Sequence, residues 1–150
     1  MRVVVQRVLS ASVTVDGKPH ASIGKGLLVL AGWESDESAA DLTYIAQKVS
    51  KMRIFDDSEG LMNRSVMEVE GDILVISQFT LHASTKKGNR PSYYKSAPGD
   101  EAEPLYEAFL DELWHACNRP VKSGKFGANM TVTLTNDGPV TLTIDSKNKE

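Results

Sequence analysis

The sequence predicts one α+β domain, residues 1–150, in which two main helices lie on a largely antiparallel, barrel-like β-sheet. Most of the chain consists of short β-branched runs separated by turn residues, and only two segments have helical periodicity. No linker or internal repeat interrupts this order. A chain of this length buries roughly 70% of the surface that it exposes when unfolded, so a hydrophobic core suffices for stability.

Composition narrows the kind of protein that this chain can be. The single cysteine, Cys117, cannot form an internal disulfide, and the first residues have a strand pattern instead of an apolar signal region, so we expect a cytoplasmic protein. No apolar stretch approaches the roughly 20 residues that cross a bilayer, and we expect no membrane contact. The net charge of −3 argues against a protein that coats nucleic acid, so any RNA contact must be local.

Three strands are predicted in the first 32 residues. Val3–Val5 and Ser12–Val15 lie in segments that combine β-branched and polar residues, and the pair Asp16-Gly17 is a hairpin turn signal. Gly26–Gly32 is apolar without alternation, which is typical of a strand buried on both faces. We therefore place Gly26–Gly32 at the centre of the sheet.

The middle of the chain contains the first helix and further short strands. Asp36–Met52 has apolar residues at helical spacing, acidic residues in its first turn and lysines late, and is predicted to be helical. Arg53–Phe55 is a short strand candidate, and Val66–Val69 is predicted to form a hairpin with the strand that begins at Asp72. Residues 86–94 contain too many glycine, asparagine and proline breakers for a regular element, and we expect a loop.

A second helix is predicted in the last third of the chain. Pro104 opens this helix, which ends before Pro120. Its apolar stripe is expected to lie in the core, because aromatic residues at helical spacing are mostly core residues. The stripe consists of Leu105, Phe109, Leu113 and Cys117, with Leu110 and Trp114 beside it.

Two strands separated by a turn are predicted after the second helix. Residues 131–135 alternate threonine with apolar residues, 136–139 are turn residues, and 140–144 alternate again. The polar tail from Ser146 to Glu150 is expected to fray.

The stretch Asp72–Leu81 is the strongest candidate for a functional site. Its first half is typical of a buried strand, but hydroxyl, amide and aromatic side chains follow at Ser77–Thr80, where a purely structural strand would end in a turn. If extended geometry continues, Gln78, Thr80 and His82 share one face of the strand. The alternative interpretation is a plain strand end without chemistry.

The residue pattern does not support several common kinds of site. Ser77 lacks the Gly-x-Ser-x-Gly elbow of a serine hydrolase, and His82 would lie on the opposite face of the strand. The histidines and Cys117 have no metal-ligand spacing, and no glycine-rich phosphate loop is present, so neither a metal nor a nucleotide cofactor is predicted. Backbone amides and small polar side chains at Ser77–Thr80 remain, and these can stabilise an oxyanion or orient a water molecule.

Two motifs resemble the signature motifs of a known family, the D-aminoacyl-tRNA deacylases. They are Ser77-Gln78-Phe79-Thr80-Leu81 and Asn136-Asp137-Gly138-Pro139-Val140-Thr141. Further segments look like this family in the same order along nearly the whole chain, which makes the resemblance specific. They are Val5-Gln6-Arg7-Val8, Ala11-Ser12-Val13-Thr14-Val15, residues 23–30, Arg53-Ile54-Phe55, Leu61-Met62-Asn63, residues 87–92 and Phe126-Gly127-Ala128-Asn129-Met130.

The resemblance implies a homodimeric hydrolase of carboxylic esters that separates a D-amino acid from the terminal adenosine of tRNA without a cofactor. It implies that the Gly138-Pro139 bond is cis and that its carbonyl oxygens project into the pocket of the second subunit. There they would accept hydrogen bonds from the α-ammonium group of the substrate and occupy the space of an L side chain. D-amino acids of varied size, and also glycine, would then be accepted.

The matching positions imply roles for individual residues. Main-chain amides near Phe79 and Thr80 would bind the ester carbonyl, and Ser77 and Gln78 would help to hold the adenosine. Thr80 is the nucleophile candidate by residue type. We prefer a positioning role for Thr80, with the ribose 2′-hydroxyl helping to activate water, because no residue is an evident base for a threonine.

Further positions belong to the implied binding site. Phe126 and Met130 would border the adenine, with core packing as the alternative. A basic loop would meet the phosphates of the acceptor end, and Asn129 stands where Asp is expected in many relatives. The loop carries Lys86, Lys87 and Arg90, and the second motif contributes Asn136, Gly138, Pro139, Val140 and Thr141, with Arg7 supporting it.

Two other functions stay open from the sequence. The first is a hydrolase of another small ester with the same oxyanion geometry, which activity on a free D-amino acid ester would indicate. The second is a noncatalytic RNA-binding or dimerisation module that has kept the fold, which RNA binding without turnover would indicate. The intact motifs Ser77–Leu81 and Asn136–Thr141 disfavour the second.

Overall fold

The computed structural model describes residues 1–150 and contains the two main helices and the curled β-sheet that the sequence predicts. The helices are α1 (Ala39–Lys51) and α2 (Gly99–Cys117), and a short 3₁₀ turn spans Phe79–His82. The strands are β1 (Arg2–Val15), β2 (Lys18–Ile23), β3 (Gly26–Gly32), β4 (Phe55–Asp56), β5 (Met62–Arg64), β6 (Asp72–Ser77), β7 (Lys122–Ser123) and β8 (Met130–Asp145). None of the helices has the length and apolar character needed to cross a membrane.

The long strand β1 organises the sheet. Its N-terminal half lies antiparallel between β3 and the end of β8, and its C-terminal half lies between β2 and the start of β8. Beyond β3, strands β6 and β7 are added in parallel, so the order is β2-β1-β3-β6-β7 with β8 on β1. The sheet is therefore largely antiparallel, as predicted, with a parallel part that the sequence does not indicate.

Strand β3 lies at the centre of the sheet and is buried on both faces, which confirms the prediction for Gly26–Gly32. Leu27 and Val29 belong to the core under the two helices, whereas Leu28 belongs to a second core inside the curled sheet. Strand β6 is divided between the two cores in the same way. Because both faces meet apolar neighbours, these strands need no alternation of apolar and polar residues.

Helix α1 confirms the first helical prediction, although it begins after its cap residue Ser38 instead of at Asp36. The Asp41 carboxylate accepts hydrogen bonds from the Ser38 amide and hydroxyl, both at 2.8 Å, and completes a capping box. Although burial raises the pKa of Asp41, these hydrogen bonds contribute to lowering it to about 2. Asp41 is therefore charged at neutral pH and stabilises the start of the helix.

Helix α2 differs from its prediction at the start and on its outer face. It begins at Gly99, so Pro104 lies inside the helix instead of opening it. Pro104 is the sixth residue of the helix, so it lacks the N–H that would donate to the Asp100 carbonyl, and the helix has one hydrogen bond fewer there. Phe109, Leu113 and Cys117 are buried as predicted, but Trp114 is 52% exposed, because the buried stripe continues through Tyr106 instead.

The predicted hairpin between Val66–Val69 and β6 is wrong. Residues 66–70 form a turn, and β6 pairs in parallel with β3. The Asp72 amide donates to the Lys25 carbonyl at 3.0 Å, which attaches the start of β6 to the start of β3. Val66 is buried and serves as an apolar anchor for the turn, so its β-branched character reflects burial and not strand pairing.

The last third of the chain also differs from its prediction. Instead of two strands joined by a turn, residues 130–145 form one long strand that follows β1, and the predicted turn at 136–139 is an excursion within it. The expected fraying does not begin at Ser146, which is buried and whose amide donates to the Met1 carbonyl at 2.9 Å.

Replacing Gly26 with alanine is expected to lower the free energy of unfolding by about 3 kcal/mol. A Cβ atom at Gly26 would lie 1.9 Å from the carbonyl oxygen of Asp72, and this backbone contact can be relieved only by separating β3 from β6. Urea unfolding followed by circular dichroism measures the change.

Gly24→Ala is the matched control, since a Cβ atom at Gly24 has no neighbour within 4 Å. Gly24→Ala is expected to change stability by less than about 1 kcal/mol. Equal losses in the two variants would contradict the proposed role of the close approach at Gly26.

Candidate active site

Strand β6 ends at Ser77, and the chain then leaves extended geometry. The Gln78 amide still donates to the Ala31 carbonyl at 2.7 Å, which extends the pairing with β3 by one residue before the 3₁₀ turn begins. The condition of continued extended geometry is therefore not met, and the expected alternation of faces through His82 is wrong. The first motif is a strand end followed by a tight turn.

The turn nevertheless brings Gln78 and Thr80 together, because Gln78 Nε2 donates to Thr80 Oγ1 at 2.5 Å. Within the turn, the Leu81 amide donates to the Gln78 carbonyl at 3.3 Å. The amides of Phe79 and Thr80 precede this hydrogen bond, as the first amides of a helical turn do. These two N–H groups are therefore available to an oxygen atom of a ligand.

A cavity of about 520 Å³ opens beside the turn. Its wall combines Ser77, Gln78 and Phe79 of the first motif with Phe126 and Met130, and Thr80 is connected to it through Gln78. The other wall residues are Trp33, Ile76, Ala97, Gly99, Ala102, Gly127, Ala128 and Val132. No side chain of the wall titrates near neutral pH, so the cavity contains no general acid or base of its own.

Phe126 and Met130 are supported from beneath the cavity. The ring of Phe126 lies 5.7 Å from that of Tyr106, and a Cβ atom at Gly124 would come within 2.6 Å of the Met130 sulfur. Burial raises the pKa of the Tyr106 hydroxyl, which therefore stays protonated and donates to the Gly124 carbonyl at 3.3 Å. Asn129, the departure from the family pattern, is exposed and does not line the cavity.

Sequence reasoning missed most of the apolar wall. The Ala97 amide donates to the Trp33 carbonyl at 2.9 Å, which brings the start of α2 to the cavity. Ala97, Gly99 and Ala102 are small residues whose position at a cavity depends on how α2 packs, so no sequence pattern identifies them. Trp33, which directly follows the predicted central strand, is the one available signal.

The second motif forms an excursion of β8 away from β1. The β1 residues that pair with Asn136 and Thr141 are separated only by Arg7, so four residues of β8 lie opposite one. The Val140 amide donates to Asn136 Oδ1 at 2.8 Å, which closes the excursion. The Gly138-Pro139 peptide bond at its tip is cis, and both residues are exposed.

Arg7 is only 6% exposed and holds the excursion from below. Its Nε donates to the Asp137 carbonyl at 3.0 Å, and its Nη1 donates to the Ile54 carbonyl at 2.7 Å. The Asp56 carboxylate lies 3.3 Å from the same Nη1. The guanidinium therefore connects the second motif to the chain before β4, because its planar donors reach several acceptors at once.

The excursion and the cavity are separate within one chain. None of the residues Asn136–Thr141 lines the cavity. Among the wall residues, Val132 is the one closest along β8 to the excursion. Asn136, where the excursion begins, lies four residues after Val132, a distance of about 13 Å along a strand. The structure brings Ser77, Gln78, Phe79, Phe126 and Met130 together, but it does not bring the second motif to them.

His82 and the basic loop lie outside the cavity wall. His82, the last residue of the turn, is buried with its Nδ1 3.5 Å from Glu34 Oε1 and does not line the cavity. Main-chain hydrogen bonds between Ser84 and Ser92, at 2.7 and 2.9 Å, close the base of a loop. This loop carries the exposed side chains of Lys86, Lys87 and Arg90.

One acidic cluster brings potential metal ligands together, namely the carboxylates of Glu34, Asp36 and Glu37, whose oxygen atoms lie within 4.8 Å of one another. Lys147 Nζ bonds to Asp36 and lies 3.8 Å from Glu34 and 4.0 Å from Glu37. The Met1 amino group also bonds to Glu37. The cluster is therefore an ion-pair network in which Lys147 and the Met1 amino group contact the three carboxylates.

Comparison with known proteins identifies a family. The family described as "D-Tyr-tRNA(Tyr) deacylase" matches residues 4–145. A D-aminoacyl-tRNA deacylase of Parabacteroides distasonis is 57% identical over 150 residues, the whole of both chains. One of Opitutus terrae is 56% identical, also over the whole of both chains, and one of Dechloromonas aromatica is 54% identical over 98% of each chain.

Two solved structures have the same fold. A chain described as "c-Myc DNA Unwinding Element Binding Protein" superposes with a TM-score of 0.92 at 40% identity and covers 97% of this chain and 98% of its own. A probable eukaryotic D-amino acid tRNA deacylase superposes with a TM-score of 0.82 at 21% identity and covers 95% and 97%. The second likeness concerns the fold alone.

Replacing Arg7 with methionine is expected to lower the free energy of unfolding by about 3 kcal/mol, because the Asp137 and Ile54 carbonyls lose a buried charged donor. For a chain of this size that loss corresponds to a decrease in melting temperature of about 6–12 °C. Differential scanning calorimetry measures it. Arg53→Met serves as the control, since Arg53 is exposed and directly precedes Ile54, whose carbonyl Arg7 binds. If the two variants had the same melting temperature, Arg7 would not be the residue that supports the excursion.

Proposed function

The chain belongs to the D-Tyr-tRNA(Tyr) deacylase family, and we propose that it hydrolyses the ester bond between a D-amino acid and the terminal adenosine of tRNA. This activity would remove D-amino acids, and also glycine, from tRNA in the cytoplasm as part of quality control in translation. The observation that carries the proposal is the cavity beside the 3₁₀ turn. It combines the polar first motif with Phe126 and Met130 in one wall.

The cavity has the composition expected of an adenosine pocket. Phe126 offers an aromatic face and Met130 a polarizable thioether, and both suit contact with a purine base. Ser77 and Gln78 are the polar side chains of the same wall and would bind the ribose or the base edge. A cavity of about 520 Å³ is within the range of pockets that enclose small ligands.

The chemistry would depend on the main chain and on the substrate itself. The amides of Phe79 and Thr80 would bind the ester carbonyl and stabilise the oxyanion that develops on it. Because the wall contains no titratable side chain, the ribose 2′-hydroxyl would help to activate the attacking water. Thr80 already accepts a hydrogen bond from Gln78, which supports a positioning role over that of nucleophile.

Selection against L-amino acids would come from the tip of the excursion. The Gly138 and Pro139 carbonyl oxygens would accept hydrogen bonds from the α-ammonium group and fill the space into which an L side chain projects. This exclusion is steric, so it would hold for side chains of any size. Arg7 and the Asn136 side chain would keep the two carbonyls in place.

The second subunit of a homodimer would supply this tip. The excursion begins about 13 Å along β8 from the cavity wall, and its tip is exposed in the single chain. A two-fold dimer in which each tip enters the cavity of the other chain brings the two motifs together without moving β8. Each of the two active sites would then contain residues from both chains.

The wild-type protein is expected to cleave D-tyrosyl-tRNA and glycyl-tRNA and to spare L-tyrosyl-tRNA, because only the L side chain meets the tip of the excursion. Release of labelled amino acid from the three esters at matched concentration measures this selectivity. Free D-tyrosine ethyl ester is the control substrate, since it lacks the adenosine that the cavity would hold.

Three outcomes would contradict the proposal. Cleavage of all three aminoacyl-tRNAs would mean that the excursion does not exclude L-amino acids. Equal rates on the free ester would indicate a hydrolase for small esters, and binding of tRNA without turnover would indicate a noncatalytic module.

Mixed dimers are expected to recover activity that each parent variant lacks. One chain carries Gln78→Ala with Thr80→Ala, which damages the cavity, and the other carries Pro139→Ala, which frees the backbone at the tip. After the two are unfolded and refolded together in equal amounts, half of the dimers are mixed, and each mixed dimer has one intact site. About one quarter of the wild-type deacylation rate should therefore return.

Each variant refolded alone is the control for this experiment. No recovery above the sum of the parents would mean that each cavity uses the excursion of its own chain. Analytical ultracentrifugation of the same samples would establish whether dimers are present.

A further inference from the structure

Two exposed aromatic side chains, Phe79 and Tyr93, meet beside the cavity, and a third, Tyr94, directly follows Tyr93 in the chain. Phe79 is 56% exposed, Tyr93 41% and Tyr94 74%. The rings of Phe79 and Tyr93 meet edge to face, with centroids 5.0 Å apart and an interplanar angle of 71°. Phe79 also lines the cavity, so this aromatic surface continues directly from its wall.

The segment that carries Tyr93 and Tyr94 is held against the cavity by hydrogen bonds. Ser96 Oγ donates to the Phe79 carbonyl at 2.9 Å, and the Ser96 amide donates to the Tyr93 carbonyl at 3.0 Å. The next residue, Ala97, is buried in the cavity wall and bonded to Trp33. The two tyrosines are therefore exposed on an anchored segment and not on a free loop.

The segment that carries the two tyrosines is basic, although the chain as a whole has a net charge of −3. Residues 83–97 contain four basic side chains and no carboxylate, and Lys95 Nζ lies 6.0 Å from the centroid of the Tyr94 ring. The basic side chains of the segment are Lys86, Lys87, Arg90 and Lys95. Aromatic faces interleaved with cations are the combination that binds single-stranded nucleic acid, since bases stack on the rings and cations meet the phosphates.

We propose that Phe79, Tyr93 and Tyr94 form a stacking platform for the unpaired nucleotide that directly precedes the terminal adenosine of the substrate. This inference rests on the proposed function, because an adenosine seated between Phe126 and Met130 leaves its 5′ neighbour at the mouth of the same cavity. Stacking on aromatic faces tolerates any base. The platform would therefore favour substrates that have a nucleotide at this position, whichever base that nucleotide carries.

The experiment compares a D-aminoacyl ester of adenosine with the same ester of a trinucleotide that ends in adenosine. For the wild-type protein, kcat/KM is expected to be about fivefold or more higher on the trinucleotide, the effect of one stacked base. Tyr93→Ala should bring the ratio of the two kcat/KM values close to one, and Tyr93→Phe, which keeps the ring, should preserve it. Trp114→Ala, at an exposed aromatic residue outside the cavity wall, is the control and should leave the ratio unchanged.

Each other outcome overturns the inference. A wild-type ratio near one, or a ratio that survives in Tyr93→Ala, would mean that the aromatic surface does not hold a nucleotide. A change in sedimentation of Tyr93→Ala or Tyr94→Ala from that of the wild type would mean that the surface contacts a second copy of the chain. Failure of the proposed function has a different signature, since the wild-type protein would then cleave neither ester, or would cleave free D-tyrosine ethyl ester as fast as it cleaves both of them.

Discussion

The close approach of β3 and β6 is the constraint on which the rest of the structure depends. Gly26 meets the backbone of Asp72 at one end of the pairing, and a Cβ atom at Gly32 would lie 2.6 Å from the Gln78 carbonyl oxygen at the other. The two strands separate the two cores, so their pairing determines how both cores pack. The same pairing ends at Gln78, where the turn with the available amides begins, and stability and site geometry therefore share one contact.

A buried cation has a comparable role for the second motif. Burying the Arg7 guanidinium away from water costs free energy unless its N–H groups find acceptors. Here the main-chain carbonyls of Asp137 and Ile54, on two different segments, accept its hydrogen bonds. One of these carbonyls, that of Asp137, is available because β8 leaves the ladder for four residues. The excursion is thus a stable part of the sheet, and its exposed tip is held by the interior of the same chain.

The distribution of charge fits a protein that handles one end of an RNA. The cavity wall has no titratable side chain, and the carboxylates of Glu34, Asp36 and Glu37 are paired with Lys147 and the Met1 amino group. Residues 83–97, which lead into the cavity wall at Ala97, contain four basic side chains and no carboxylate. In the proposed reaction the main chain, the ribose and a second subunit supply what side chains supply in most hydrolases.

The sequence by itself determined α1, whose signal is a local periodicity, and the strands that are buried on both faces, namely β3 and the buried part of β6. Its motifs determined the family. It also indicated Ser77–Thr80 with Phe126 and Met130, which the structure places in or directly beside one cavity wall. Only the tertiary structure decided that β6 pairs in parallel with β3, that residues 136–139 are an excursion and not a turn, and that Trp114 is exposed. The reason is that pairing partners, and the small residues that line a cavity, are set by contacts between distant parts of the chain, which leave no periodic pattern in it.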